Sequence, residues 1–169
     1  MALEGNRIGR FFRHVLSLPG AVGRAFPASS LSRIEQAVAE SENLHGGQIR
    51  FAVEAALEPA ELLRGVSARE RAIEVFSELR VWDTEANNGV LLYLLLADHD
   101  VEIVADRGYN GKVRPDEWEA VCREMEASLR GGRYEEAVLE GIRGIAELVA
   151  PHFPAGSGRG ELSDRPAVV

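Results

Sequence analysis

The chain has 169 residues, 46% hydrophobic and 27% charged, which suits one domain with a real core. Its formal charge of −8 argues against nucleic-acid binding, because phosphate neutralisation needs a basic face. A single cysteine, Cys122, excludes an internal disulfide framework, and no apolar stretch reaches the ~18 residues of a transmembrane helix.

Charge is unevenly spread. Arg7, Arg10, Arg13 and Arg24 against Glu4 give residues 1–26 a charge of +3, and the remaining residues carry −11. Ile8, Phe11, Phe12 and Val15 follow i, i+3, i+4, i+7 spacing, one face of a helix. Leu18-Pro19-Gly20 ends that pattern. The arginines interrupt the apolar residues, unlike a signal peptide, so the expected location is cytoplasmic. Two readings stay open for this segment. Arg7, Arg10, Phe11, Phe12 and Arg13 form a basic amphipathic contact with an anionic membrane or an acidic partner, or the apolar stripe packs on its own domain.

Pro27 to Ser30 marks the expected domain start, giving a domain over 27–153 and a tail over 154–169. Ser32 with Glu35 fits a capping box, and Leu31, Ile34, Ala37 and Val38 repeat at helical spacing up to Gly46-Gly47. Residues Gln48 to Leu57 read as a strand. Ser67 with Glu70 is a second capping box, starting a helix with a stripe of Ala72, Val75, Phe76 and Leu79. Strand, helix, strand in that order predicts parallel neighbours joined by a right-handed crossover.

The run Val90 to Ala97 is apolar enough for a central strand covered on both faces. Asp98-His99 supplies a two-residue hairpin loop into a strand over Val101 to Ala105. Gly108, Asn110 and Gly111 break the pattern, and Pro115 opens a helix with a stripe of Trp118, Val121, Cys122 and Met125. Gly131-Gly132 separates it from a last helix running from Tyr134 to Val149. The tail after Pro154 has little to bury and is expected to be disordered.

The ordered set Asn88-Gly89-Val90-Leu91-Leu92, Val101-Glu102-Ile103 and Asp106-Arg107-Gly108-Tyr109-Asn110-Gly111 resembles the TPM domain, over about Phe26 to Phe153. That resemblance implies a three-layer α/β/α sandwich with a small mixed sheet flanked by helices. It also implies two functional classes: modules that act beside membrane assemblies, and acid phosphatases, some binding calcium or similar ions. The chain departs from the family at His99, where arginine is usual, and at Asp106, where glycine is usual. The first departure weakens a phosphatase assignment that would rely on the turn arginine.

Antiparallel pairing of the second and third strands would bring Asp83, Glu85, Asn87 and Asn88 near Asp106, Arg107, Tyr109 and Asn110. The next helix would add Asp116, and the start of the first strand His45. Asp98, His99 and Asp100 would lie roughly 27–30 Å away, at the other end of a nine-residue strand rising about 3.3 Å per residue. Carboxylates with Asn side chains suit a hard cation such as Ca²⁺ or Mg²⁺, giving Asp83, Glu85, Asn88, Asp106 and Asp116 as candidate ligands. A metal-dependent phosphatase would use Asp83 or Asp106 as ligand or general base and Arg107 to hold the phosphate. The plainer reading is turn chemistry, since Asp and Asn bond local backbone in loops. Cys122 is expected to be a buried, inert thiol, and Trp82 and Trp118 core anchors. The resulting expectation is a non-catalytic interaction module with a candidate divalent-cation site, with a phosphatase acting on phosphomonoesters as the alternative.

Overall fold

The computed structural model describes residues 2–17, 20–156 and 160–169, with side chains from residue 8 onward. The elements are α1 (Ala2–Val15), α2 (Ala21–Ala25), α3 (Ala28–Glu42), β1 (Gln48–Glu54), α4 (Pro59–Arg64), α5 (Ala68–Glu78), β2 (Gly89–Leu95), β3 (Asp100–Ala105), a 3-10 turn (Arg107–Tyr109), α6 (Pro115–Arg130), α7 (Tyr134–Val149) and β4 (Ala167–Val168). The sheet order is β3-β2-β1-β4. β1 runs parallel to β2 and to β4, and β2 antiparallel to β3. This is the expected mixed sheet between helical layers.

All seven residues of β2 are buried, which explains its unbroken apolar sequence. Alternate side chains face opposite layers. Phe51, Val53, Leu92 and Leu94 pack with Ile34, Met125, Ile142 and Ile145 of α3, α6 and α7. Ala52, Leu91, Tyr93 and Leu95 pack with Ala72 and Val75 of α5 and Leu62 of α4. Gly89 is required by close approach: a Cβ there would fall 2.0 Å from the Val81 carbonyl oxygen.

Several local expectations are corrected. The α3 helix starts at Ala28 behind Pro27, so Ser32 lies inside it rather than capping it. Ser67 and Glu70 do form their capping box. The hairpin uses Leu96 to His99 rather than two residues, with His99 at φ 51. Trp82 is 51% exposed and no core anchor, whereas Trp118 packs edge-on against Tyr109. The tail is not disordered over residues 160–169. Arg50 donates to the carbonyls of Ser163 and Arg165, Gln48 accepts from the Glu161 and Leu162 amides, and β4 pairs with Ala52 and Val53. Pairing with the sheet edge, the Arg50 and Gln48 side chains, and apolar packing of Leu162, Ala167 and Val169 together hold it.

The N-terminal segment packs on its own domain. Val22 and Phe26 enter the core, so packing does not stop at Pro27. From α1, Arg10 Nε donates to Asp98 Oδ2 (2.7 Å) and Arg13 to Asp98 Oδ1 (3.0 Å). His14 Nε2 lies 3.0 Å from Asp98 Oδ2, while its Nδ1 accepts from the Leu57 amide (2.9 Å). With Nδ1 accepting from the Leu57 amide, Nε2 is the nitrogen turned to Asp98. Burial alone would raise the Asp98 carboxyl; hydrogen bonds from His14, Arg10 and Arg13 outweigh it and hold it well below the usual carboxylate range. Phe11 packs against the apolar cluster under α4 and α5. Asp98→Asn should cost about 2 kcal/mol, as expected for breaking a partly buried charge cluster. Amide exchange should quicken across residues 8–15 while β2 stays protected; equal protection of α1 in both proteins would show that the clasp is dispensable.

Candidate functional site

The backbone of the expected loop cluster does converge. Asp106 donates its amide to the Gly89 carbonyl (2.9 Å) and Gly108 donates to the Asn87 carbonyl (2.9 Å). A Cβ on Gly108 would fall 2.2 Å from that same Asn87 oxygen, so this contact also needs glycine. Asn88 is fully buried. Its Nδ2 donates to the Gly46 carbonyl (2.5 Å) and its amide to Thr84 Oγ1 (3.1 Å). Its carbonyl accepts from the Gln48 amide (3.1 Å) and the Tyr109 hydroxyl (2.8 Å).

The side chains, however, part company. Asp83 lines a groove of about 230 Å³ with Arg50, Arg80 and Glu161. Asp106 lines a different groove of about 660 Å³ beside α6. Glu85 is exposed, its amide donating to Glu161 Oε2 (2.8 Å). Asp116 is exposed and paired with Arg114 Nε (3.0 Å). Arg107 donates from Nε to Asn87 Oδ1 (2.7 Å) and from its amide to Asp106 Oδ1 (2.7 Å). Among the described residues, no three His, Cys, Asp or Glu side chains lie together as a metal-holding group. Two candidate ligands nevertheless keep orphaned acceptors: Asn88 Oδ1 and Asp106 Oδ2 are buried without a hydrogen-bond partner.

Next to Asn88 lie buried groups that the sequence reading left without a role. His45 is 1% exposed, and burial pushes its imidazole pKa down. Glu42 accepts from the Ile49 amide (2.9 Å). Burial pushes its carboxyl up to about 7, against the opposing effect of that amide. Strand order placed His45 at this end, but the burial of His45 and Glu42 carried no sequence signal, because Phe153 and Pro154 close over the Gly46-Gly47 turn.

Comparison with known proteins places this arrangement. The TPM domain family model matches residues 24–148. The chain belongs to the TPM domain family. Its structure is similar to the NMR structure of the BA42 protein from the psychrophilic bacterium Bizionia argentinensis, at 25% identity and a TM-score of 0.74, covering 85% of this chain and 95% of that one. It also shares its fold with the N-terminal domain of a protein from P. gingivalis, at 14% identity and a TM-score of 0.60, covering 75% and 77%. No curated protein matches. Within the TPM domain, the Asn88-Gly89 pair is thus the point where three loops are sewn together, and Cys122 is a half-buried thiol. Burial and the neighbouring Glu102 and Glu126 push its pKa up to about 12, which leaves it protonated and unreactive at neutral pH.

The Glu42 carboxyl makes a pH prediction. Its folded pKa lies above its unfolded value of 4.5. The stabilisation from the protonated form is therefore complete below 4.5 and lost as pH rises through about 7. Glu42→Gln keeps the acceptor for Ile49 and removes that loss. Denaturation of the two proteins between about pH 5 and 8 should differ in slope, by roughly 2–4 kcal/mol over the range; parallel profiles would place Glu42 in water.

Proposed function

We propose that this TPM domain is a non-catalytic interaction module whose contact surface is the outer face of α1 and whose occupant is an anionic membrane surface. One observation carries this reading. Ile8, Phe12, Val15 and Leu16 are 59%, 55%, 49% and 68% exposed, on a helix already clamped to the domain through Asp98 and Phe11. Helical packing consumes Phe11 only, so the rest of the stripe is displayed. Leu63 of α4 is 74% exposed, and with Ile8 and Phe11 it lines a cleft of about 580 Å³ between the two helices. Contiguous apolar surface of this kind marks a contact site. The charge asymmetry supports a lipid surface: the N-terminal segment is net basic, which favours anionic headgroups, while the rest of the chain is net acidic. Arg7 belongs to the same segment, its side chain outside the described residues. No helix among the described residues is long and apolar enough to cross a membrane, so attachment would be peripheral.

Phe12→Glu with Leu16→Glu changes only exposed positions and leaves the Asp98 clasp in place. The wild-type chain should co-sediment with vesicles containing phosphatidylserine, and the double variant should not. Absence of wild-type binding, or equal binding of both proteins, would overturn the membrane reading.

A second reading has its own support. The orphaned oxygens of Asn88 and Asp106 suit a Ca²⁺ or Mg²⁺ ion completed by loop carbonyls and water. Titration with either ion should move the amide resonances of Asn88 and Asp106, and Asp106→Asn should abolish the shifts. The phosphatase alternative is disfavoured because Asp83 lies in a separate groove from Asp106. Metal-dependent hydrolysis of a phosphomonoester, lost in both Asp83→Asn and Asp106→Asn, would reverse that preference.

A further inference from the structure

The two edges of the sheet are treated differently. The β1 edge is covered by residues 160–169, whereas β3 ends the sheet on the other side. Pairing of Asp106 with Gly89 sets the phase of the β2–β3 ladder. In an antiparallel ladder, alternate residues point their backbone groups outward, and here these are Val101, Ile103 and Ala105. Arg69 Nη1 donates to the outward Ile103 carbonyl (2.6 Å), and the Cys122 sulfur meets the Ile103 backbone. Among the described residues nothing bonds the outward groups of Val101 or Ala105, although Val101 is only 2% exposed. Backbone polar groups held from water without a partner are costly.

This edge forms the floor of the 660 Å³ groove, between Arg69 of α5 and Trp118 and Cys122 of α6. Asp100, Glu102, Asp106, Glu119 and Glu126 line it, against Arg69 and Arg123 alone. The carboxylates crowd one another. Asp100 is pushed up to about 6 by burial and by the neighbouring Glu102, Glu126 and Asp98, with Arg10 opposing. The chain also shows which chemistry this acidic tract accepts. At its near end Asp98 already binds two arginines of α1, and at its centre an arginine already bonds the strand edge.

We propose that the groove between α5 and α6 is a strand-acceptor site, in which an extended, lysine- or arginine-bearing segment of a partner protein adds to β3. Its backbone bonds Val101 and Ala105 and displaces Arg69 from the Ile103 carbonyl, while the Ile103 amide stays with the Cys122 sulfur, and its basic side chains meet the groove carboxylates. Backbone pairing gives affinity in this mode and side-chain pockets give specificity, while charge complementarity selects the partner. Val101 to Ala105 spans about 13 Å, room for a short strand of roughly five residues. Arg69 acts as a gatekeeper, the charged cover by which native sheets discourage random edge pairing. The site is separate from the outer face of α1, so failure of membrane binding leaves it standing.

The test uses the full chain and a labelled heptapeptide of alternating lysine and valine, with a glutamate-for-lysine control. Fluorescence anisotropy should show saturable binding of the lysine peptide only. Bound peptide should slow hydrogen exchange at the Val101 and Ala105 amides. Asp100→Asn with Glu126→Gln should weaken binding about tenfold or more, and Arg69→Ala, an exposed change that spares the core, should tighten it. No binding of the lysine peptide, equal binding of the control, or weaker binding to Arg69→Ala would overturn the proposal. Binding without added protection at Val101 and Ala105 would also overturn it, leaving a purely ionic contact.

Discussion

Asn88 is the constraint on which one end of the molecule depends. Four hydrogen bonds radiate from this one buried residue, to Gly46, Thr84, Gln48 and Tyr109. They join the turn before β1, the loop before β2 and the 3-10 turn after β3. Losing the side chain would leave the Gly46 carbonyl without that donor, and unmade buried hydrogen bonds cost more than made ones gain. Gly89 follows because the Val81 backbone packs where a side chain would stand. The pair therefore encodes close approach and hydrogen bonding.

The opposite end is organised by charge. One carboxylate, Asp98, gathers Arg10, Arg13 and His14 from a helix more than eighty residues earlier. An amphipathic helix usually turns its apolar stripe inward. Here the ionic contacts fix the rotation of α1, so Phe11 turns in while Ile8, Phe12, Val15 and Leu16 turn out. The surface apolarity of α1 is a consequence of where its basic residues are held.

Periodicity and turn residues made much of the architecture legible. The buried run of β2, the capping box of Ser67 and Glu70, the proline opening α6 and the order of β1, β2 and β3 all follow from sequence rules. The hairpin length was not legible, because the left-handed backbone at His99 is a tertiary choice. The loop cluster was half legible. Pairing predicted that Asn88 and Asp106 share one end of the sheet, and they do. It did not predict that Asp83 faces another groove, since side-chain direction in irregular loops has no period. The orientation of α1 was invisible for a related reason: Asp98 looked like ordinary turn chemistry, and only the fold brings it beneath Arg10 and His14. The tail misled because its apolar residues are few and scattered, while much of its attachment is backbone bonding to β1, Arg50 and Gln48, which composition does not record.

That attachment has a consequence for how the protein is made. Arg50 in β1 bonds residues 113 and 115 positions downstream. Ribosomes add about 5–20 residues per second, so β1 waits roughly 6–23 s for the segment that covers its edge. During that interval β1 and β2 can pair, but a parallel edge is exposed on the nascent chain. The late-made segment is the seal, and a ribosome stalled before residue 160 would release a sheet with both borders open. Such a product would be a natural client for chaperones that grip extended strands.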